Sequence, residues 1–165
     1  MQSIWAPWRL EYILANQSPS DGCFFCRAWQ SQGQDNEHLL LARGQRAFVM
    51  MNRFPYNNAH LMVAPVEHVG GVEAVDSDGA AEIWSLVSTC KSVLEDVANI
   101  DGCNIGINQG KVAGAGVLDH LHVHVVPRWD GDTNFMPVIA DVKVMPQALE
   151  DCYDQLRPAF AARGF

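Results

Sequence analysis

The sequence predicts an α+β fold, an antiparallel sheet of about five strands with two main helices. Three observations predict it. Short apolar runs bounded by Gly, Pro and Asn read as strands. Two longer stretches carry apolar residues at helical spacing. The strand candidates fall before and after the longer helix, with short connections between neighbours.

In chain order, "LLLARGQRAFVMMN" reads as strand, turn, strand, with Arg43, Gly44 and Gln45 in the turn. "NRFPYNNAH" is a loop, and "HLMVAPVEHV" a buried strand stopped by Pro65. "DSDGAAEIWSLVSTCKSVLEDVA" is the clearest helix. Ile83, Leu86, Val87, Cys90, Val93, Leu94 and Val97 share one face, and Asp76 or Ser77 caps its start. "CNIGINQG" and "HLHVHVVPRW" are the next strands, joined by the Gly/Ala loop "GKVAGAGVLD". The last helix, "MPQALEDCYDQLRPAF", puts Leu149, Cys152, Tyr153 and Leu156 on one face.

A chain of 165 residues fits one domain spanning 1–165, with an N-terminal aromatic segment over 1–20 and a C-terminal extension over 130–165. Trp5, Trp8 and Tyr12 in the first segment suit the covering of a groove or partner surface. No apolar run reaches the length of a membrane span, and the N-terminus lacks the pattern of a signal peptide. The expected compartment is the cytoplasm, without membrane association. The net charge of −8, with no cluster of Lys and Arg, argues against nucleic acid as the main partner. A small phosphorylated ligand is still permitted, since backbone amides can hold it. The five cysteines are an odd number and argue against a disulfide framework. Cys90 and Cys152 read as core residues, and Cys103 as the start of a strand.

The stretch "DHLHVHVVPRW" carries His120, His122 and His124 in alternation with Leu121, Val123 and Val125. On a strand the three imidazoles share a face at intervals of about 6.5–7 Å. A one-residue slip would bury them and expose the aliphatics, so the register is well specified. The outer pair would lie about 13 Å apart, too far to share one metal ion, so the roles must be divided. A neutral imidazole can attack phosphorus and split a displacement into two steps. The middle histidine is best placed for this, with its other ring nitrogen bonded to a backbone carbonyl.

"HLHVHVV" resembles the His-φ-His-φ-His-φ-φ motif of the histidine-triad (HIT) family of nucleotide hydrolases and transferases. "NRFPYNNAHLMVAPVEHV" is similar to that family's loop and strand. "WAPWRLEYI" and "VVPRWDGDTNFMPV" resemble a bacterial branch that includes diadenosine tetraphosphate phosphorylases. The resemblance implies a HIT-like fold and a homodimer or higher homo-oligomer. It implies that His122 is the nucleophile, that His124 contacts phosphate oxygens and the leaving group, and that His60 supports the triad. It puts Asn52 on the ribose hydroxyls and Asn108 on phosphate. Asn52 and Asn108 also read as turn residues, and His60 as a structural histidine.

One departure stands just before the triad. Gly116 and Val117 occupy positions where the family often has polar side chains, which leaves backbone N–H groups for the phosphates. Trp129 is a candidate for stacking on a base, or for plain packing. "CFFC" gives half of a tetrahedral site, and a redox pair has the same spacing. Redox chemistry is disfavoured because no helix start in a βαβ setting is evident after the motif. The resemblance implies that Cys23, Cys26, His68 and His120 bind a structural zinc ion, with free thiols as the alternative. The implied function is nucleotidyl transfer at the α-phosphorus of a dinucleoside polyphosphate, with phosphate as acceptor. Hydrolysis of such substrates or of nucleoside phosphoramidates is the alternative, as is nucleotide binding without turnover.

Overall fold

In the computed structural model, residues 22–133 and 144–165 are described. Strands β1 (Leu40–Arg43), β2 (Ala47–Met51), β3 (Leu61–Pro65), β4 (Gly102–Gly106) and β5 (Val123–Arg128) form one antiparallel sheet in the order β1-β2-β3-β5-β4. Three α-helices accompany it among the described residues: α1 (Phe24–Gln30), α2 (Ser77–Ala98) and α3 (Leu149–Ala161). The expected α+β architecture is therefore present, with α1 as an addition to the two main helices. The N-terminal aromatic segment lies outside the described residues.

Alternation along the strands divides the core in two. Val49, Met51, Leu61, Val63, Val123 and Val125 face α2 and α3 and form the main core with Ile83, Leu86, Cys90, Leu94, Cys152, Leu156 and Phe160. Phe48, Met50, Met62 and Ala64 face the other way and pack with Phe25 and Ala28 of α1. Strands β2 and β3 are thus buried on both faces, as their unbroken apolar runs require. A bulge between Leu40 and Ala42 interrupts the pairing of β1, and both Leu41 and Ala42 join the main core. The phenol of Tyr153 donates to the Leu40 carbonyl (3.1 Å), tying α3 to this irregular strand.

Local signals explain the ends. Asp76 caps α2 by accepting from the Gly79 N–H (2.7 Å), and Asn99 closes it in the left-handed conformation. Glu82 reaches from α2 to accept from the backbone N–H groups of Gln45 and Arg46 (2.6 and 2.8 Å). A side chain at Gly44 would collide with that carboxylate and with the Ala47 carbonyl, so the β1–β2 turn needs glycine there.

Strand β5 begins at Val123, later than the expected His120. Continued from the Val63↔Val123 register, β3 reaches Pro65 opposite Leu121. Proline has no N–H for the ladder. The Leu121 N–H bonds instead to the Val69 carbonyl (2.6 Å). His120 and His122 therefore lie on the approach to the strand, and only His124 is within it.

Candidate active site

All three histidines are buried: His120 is 1% exposed, His122 5% and His124 8%. This corrects the expectation of one open imidazole face and one buried aliphatic face. Val123 and Val125 are buried under α2 and α3, while Phe25 of α1 covers the other side. The Phe25 ring centroid lies 4.9 Å from that of His120 and 5.0 Å from that of His122.

Hydrogen bonds fix which nitrogen of each ring carries the proton. A carbonyl can only accept, so His122 donates from Nδ1 to the His120 carbonyl (2.9 Å), which leaves the lone pair on Nε2. The expected backbone partner is found. The Nδ1 of His60 accepts from the Tyr56 N–H (3.0 Å), so its proton resides on Nε2 and is given to His124 Nδ1 (3.0 Å). Neutral His124 then carries its own proton on Nε2. The His122 and His124 rings are 4.8 Å apart and nearly perpendicular.

Electrostatics keep these rings neutral. Burial, reinforced by His122, pushes His124 down to about 4 from 6.5. Burial also lowers His122, against the opposing bond to the His120 carbonyl. The unfolded chain takes up a proton near pH 6.5 that folded His124 accepts only near pH 4. Unfolding is therefore increasingly favoured as pH falls through that window, and this contribution is constant above it. Acidification from about pH 6.5 to about 4 is expected to cost on the order of 3 kcal/mol from His124 alone. Melting curves across that range test this, and a constant Tm would contradict a buried neutral imidazole.

The loop from β2 to β3 holds His60 in place. Asn52 accepts from the Phe54 N–H (2.8 Å), so its turn role is present, and its amide nitrogen lies 3.3 Å from His60 Nδ1. Asn57 is buried and donates to the Pro127 carbonyl and to Asp132 (2.9 Å each). Arg128 pairs with Asp132 and holds its carboxyl well below the usual carboxylate range. Ala59, just before His60, has a φ of 55°, a conformation that favours glycine. Tyr56 lies over both His60 and His124, with centroids at 4.7 and 5.4 Å, and stays half exposed. Phe25, Tyr56 and Asn57 were not singled out from sequence. The signal for Phe25 was its place between two cysteines.

The other expected residues divide. Gly106 is the register partner of His124, so Asn108 lies just past the histidine end of β4. Gly116 is exposed with open space around its Cα, whereas Val117 turns inward against the core under α1. Trp129 is not brought to the histidines. It follows the last residue of β5. Its indole donates to the Ala98 carbonyl at the end of α2 (3.1 Å), beside Val97, Pro146 and Gln155.

Cys23, Cys26, His68 and His120 converge, each offering one ligand atom within 4.8 Å of the others. His120 Nδ1 is 3.3 Å from Cys23 Sγ, 3.6 Å from Cys26 Sγ and 3.3 Å from His68 Nδ1. Tetrahedral zinc, with about 2.3 Å to sulfur and about 2.0–2.1 Å to nitrogen, sets its ligand atoms roughly 3.3–3.8 Å apart. His120 Nε2 donates to the Pro65 carbonyl (2.8 Å), which leaves Nδ1 free as a ligand. Burial and the neighbouring Cys23 raise the Cys26 thiol, a conflict that a dication between them would remove. The set is compatible with zinc. Cys23 is the N-cap of α1, so a helix does start within the motif, although the setting is not βαβ.

Comparison with known proteins agrees with this architecture. The family model of the HIT domain matches residues 34–131. The AP-4-A phosphorylase of Mycobacterium tuberculosis (strain CDC 1551 / Oshkosh) is 36% identical over 156 residues, covering 92% of this chain and 80% of that protein. A bis(5'-adenosyl)-triphosphatase of Dictyostelium discoideum is 32% identical over 82 residues, 50% of this chain and 54% of that one. Among solved structures, a Zn-bound histidine triad family protein from Mycobacterium smegmatis superposes with a TM-score of 0.68 at 23% identity, over 87% of this chain and 96% of that chain. No helix among the described residues is long and apolar enough to cross a membrane. A domain match over more than half the chain, together with a relative similar over nine-tenths of it, leads to one conclusion: this chain belongs to the histidine-triad (HIT) family.

Proposed function

We propose that the protein transfers a nucleotidyl group from a dinucleoside polyphosphate such as diadenosine tetraphosphate to inorganic phosphate, through a covalent intermediate on His122. The observation that carries this is the His122 ring. Its Nδ1–H is tied to the His120 carbonyl, its Nε2 lone pair is free, and burial keeps it neutral. The 36% identity to an AP-4-A phosphorylase supports the choice of substrate and acceptor.

In the first step Nε2 of His122 bonds to the α-phosphorus, and the bond from phosphorus to the bridging oxygen breaks, releasing ATP. The imidazole becomes positive as it bonds, and the His120 carbonyl stabilises that charge through Nδ1–H. His124, protonated on Nε2, donates to a phosphate oxygen or to the leaving oxygen. It does so as a neutral donor, with His60 supporting its tautomer. In the second step an oxygen of inorganic phosphate attacks the same phosphorus, the bond to Nε2 breaks, and ADP leaves. Asn52 suits the ribose hydroxyls, while Asn108 and the backbone N–H groups around Gly116 suit the phosphates.

Cys23, Cys26, His68 and His120 would hold zinc in a closed, structural site. When bound, it would fix the first turn of α1 and the orientation of His120. A reducing, cytoplasmic compartment suits a site built on thiolates. The outer edge of β4, exposed at Asn104, Ile105 and Gly106, supports a homodimer formed by adding a second copy.

The deciding experiment incubates the protein with diadenosine tetraphosphate, with and without inorganic phosphate. The expected result is ATP and ADP in equal amounts, formed only when phosphate is present. AMP and ATP at the same rate without phosphate would make the protein a hydrolase. Binding without any product would make it a nucleotide-binding module.

A further inference from the structure

Phe25 stands between the two thiols of the metal cluster in sequence and between two functional rings in space. Its side chain is fully buried, and its ring is tilted 34° to both His120 and His122. The helix that carries it is anchored at its far end. Arg43 donates to the last-turn carbonyls of Trp29 and Ala28 (2.6 and 3.2 Å) while paired with Asp35. The first turn has no side-chain cap, and its cysteines instead face His68 and His120. Both ends of a seven-residue helix are thus held, and Phe25 is pressed onto the histidines from a fixed direction.

His122 needs such a support. Among the described residues its ring bonds to the His120 carbonyl, and that bond holds the Nδ1–H tautomer only while the ring is kept from swinging away. Phe25 lies against the ring at 5.0 Å between centroids, and the nearly perpendicular His124 ring at 4.8 Å. An attacking lone pair must point along the line of displacement, and a misplacement of about 1 Å can cost roughly 100-fold in rate.

We infer that Phe25 is a positioning residue for His122: it transmits the placement of the cysteine–histidine cluster to the nucleophile and holds the ring with Nε2 aimed at phosphorus. This rests on the nucleotidyl-transfer reading above. Phe48 supplies the control. It is buried in the same core, 6.4 Å from Phe25.

The test compares Phe25→Ala, Phe25→Leu and Phe48→Leu in the full-length protein. Phe25→Ala is expected to keep its metal, to change KM by less than about threefold, and to lose roughly 10–100-fold in kcat. Phe25→Leu is expected to recover part of the loss, and it decides the matter if the alanine variant does not fold. Phe48→Leu is expected to lower Tm while leaving kcat within about twofold of the parent. Nitrogen-15 spectra of the imidazoles give a readout independent of turnover. His122 is expected to be Nδ1-protonated in the parent and in Phe48→Leu, and a mixture of tautomers in Phe25→Ala. Equal kcat in the Phe25 and Phe48 variants, with one unchanged His122 tautomer, would overturn the inference. If the parent protein itself shows no turnover, the nucleotidyl-transfer reading fails, and the spectra still decide whether Phe25 orients His122.

Discussion

Replacing His122 by alanine is expected to lower kcat on diadenosine tetraphosphate by roughly 10⁴-fold or more, with the chain still folded. The size follows from what the ring does in the proposed reaction. Without Nε2 there is no covalent intermediate, and the two easier displacements collapse into one direct attack by phosphate on a crowded, anionic centre. His124→Ala is expected to cost less, about 10²–10³-fold, because it removes a hydrogen-bond donor and leaves the attacking atom in place. The two variants therefore separate by at least tenfold in single-turnover assays. Acid-labile radioactive nucleotide should be trapped on the parent protein and on His124→Ala but not on His122→Ala. Activity of His122→Ala within tenfold of the parent would move the nucleophile elsewhere.

The neutral state of His124 matters to that comparison. A cationic histidine would attract the polyphosphate, and its removal would raise KM. His124 instead sits near the polar end of a relay from the Tyr56 N–H through His60, and burial keeps it uncharged at neutral pH. Its loss should thus fall mainly on kcat.

Much of this site was legible because its information is local. The alternation of Val123 and Val125 with His124 sets the core face of β5, Pro65 ends β3 where expected, and the Asp76 cap starts α2. The choice of a backbone carbonyl for the second nitrogen of His122 needed only the chemistry of imidazole. What escaped was long-range or too short to show a period. Helix α1 has seven residues, fewer than periodicity resolves, and it starts at a cysteine where Ser, Thr, Asp or Asn would have marked a cap. Without α1 the histidine face would stay open to solvent. Phe25 covers it from α1, whose N-cap Cys23 is 97 residues from His120. Trp129 is a different case, since it follows the end of β5 and its indole bonds to the Ala98 carbonyl. The relay through Tyr56 depends on a loop folding back on itself, and no residue pattern announces it.

Removing Cys26 is expected to give the largest change in stability. Cys26 Sγ lies 3.3 Å from His68 Nδ1 and 3.6 Å from His120 Nδ1, so Cys26→Ser takes one corner from the four-ligand set. Metal content should fall from about one zinc per chain to near zero, since structural zinc needs all four ligands. A metal present at about 1,000 times its Kd stabilises the fold by about 4 kcal/mol, and a chain of this size loses about 2–4 °C of Tm per kcal/mol. The expected fall in Tm is therefore on the order of 10 °C. A strong chelator should produce the same fall in the parent and almost none in Cys26→Ser, since both act on one interaction. Destabilisation by the substitution alone, with no metal in the parent and no response to chelator, would make the cluster a set of thiol and imidazole contacts. The seat of α1 on the histidines would then rest on Arg43 and apolar packing. The response to chelator is what separates the two, because a serine in a tight core can lower Tm by itself, whereas a chelator acts only where there is an ion to remove.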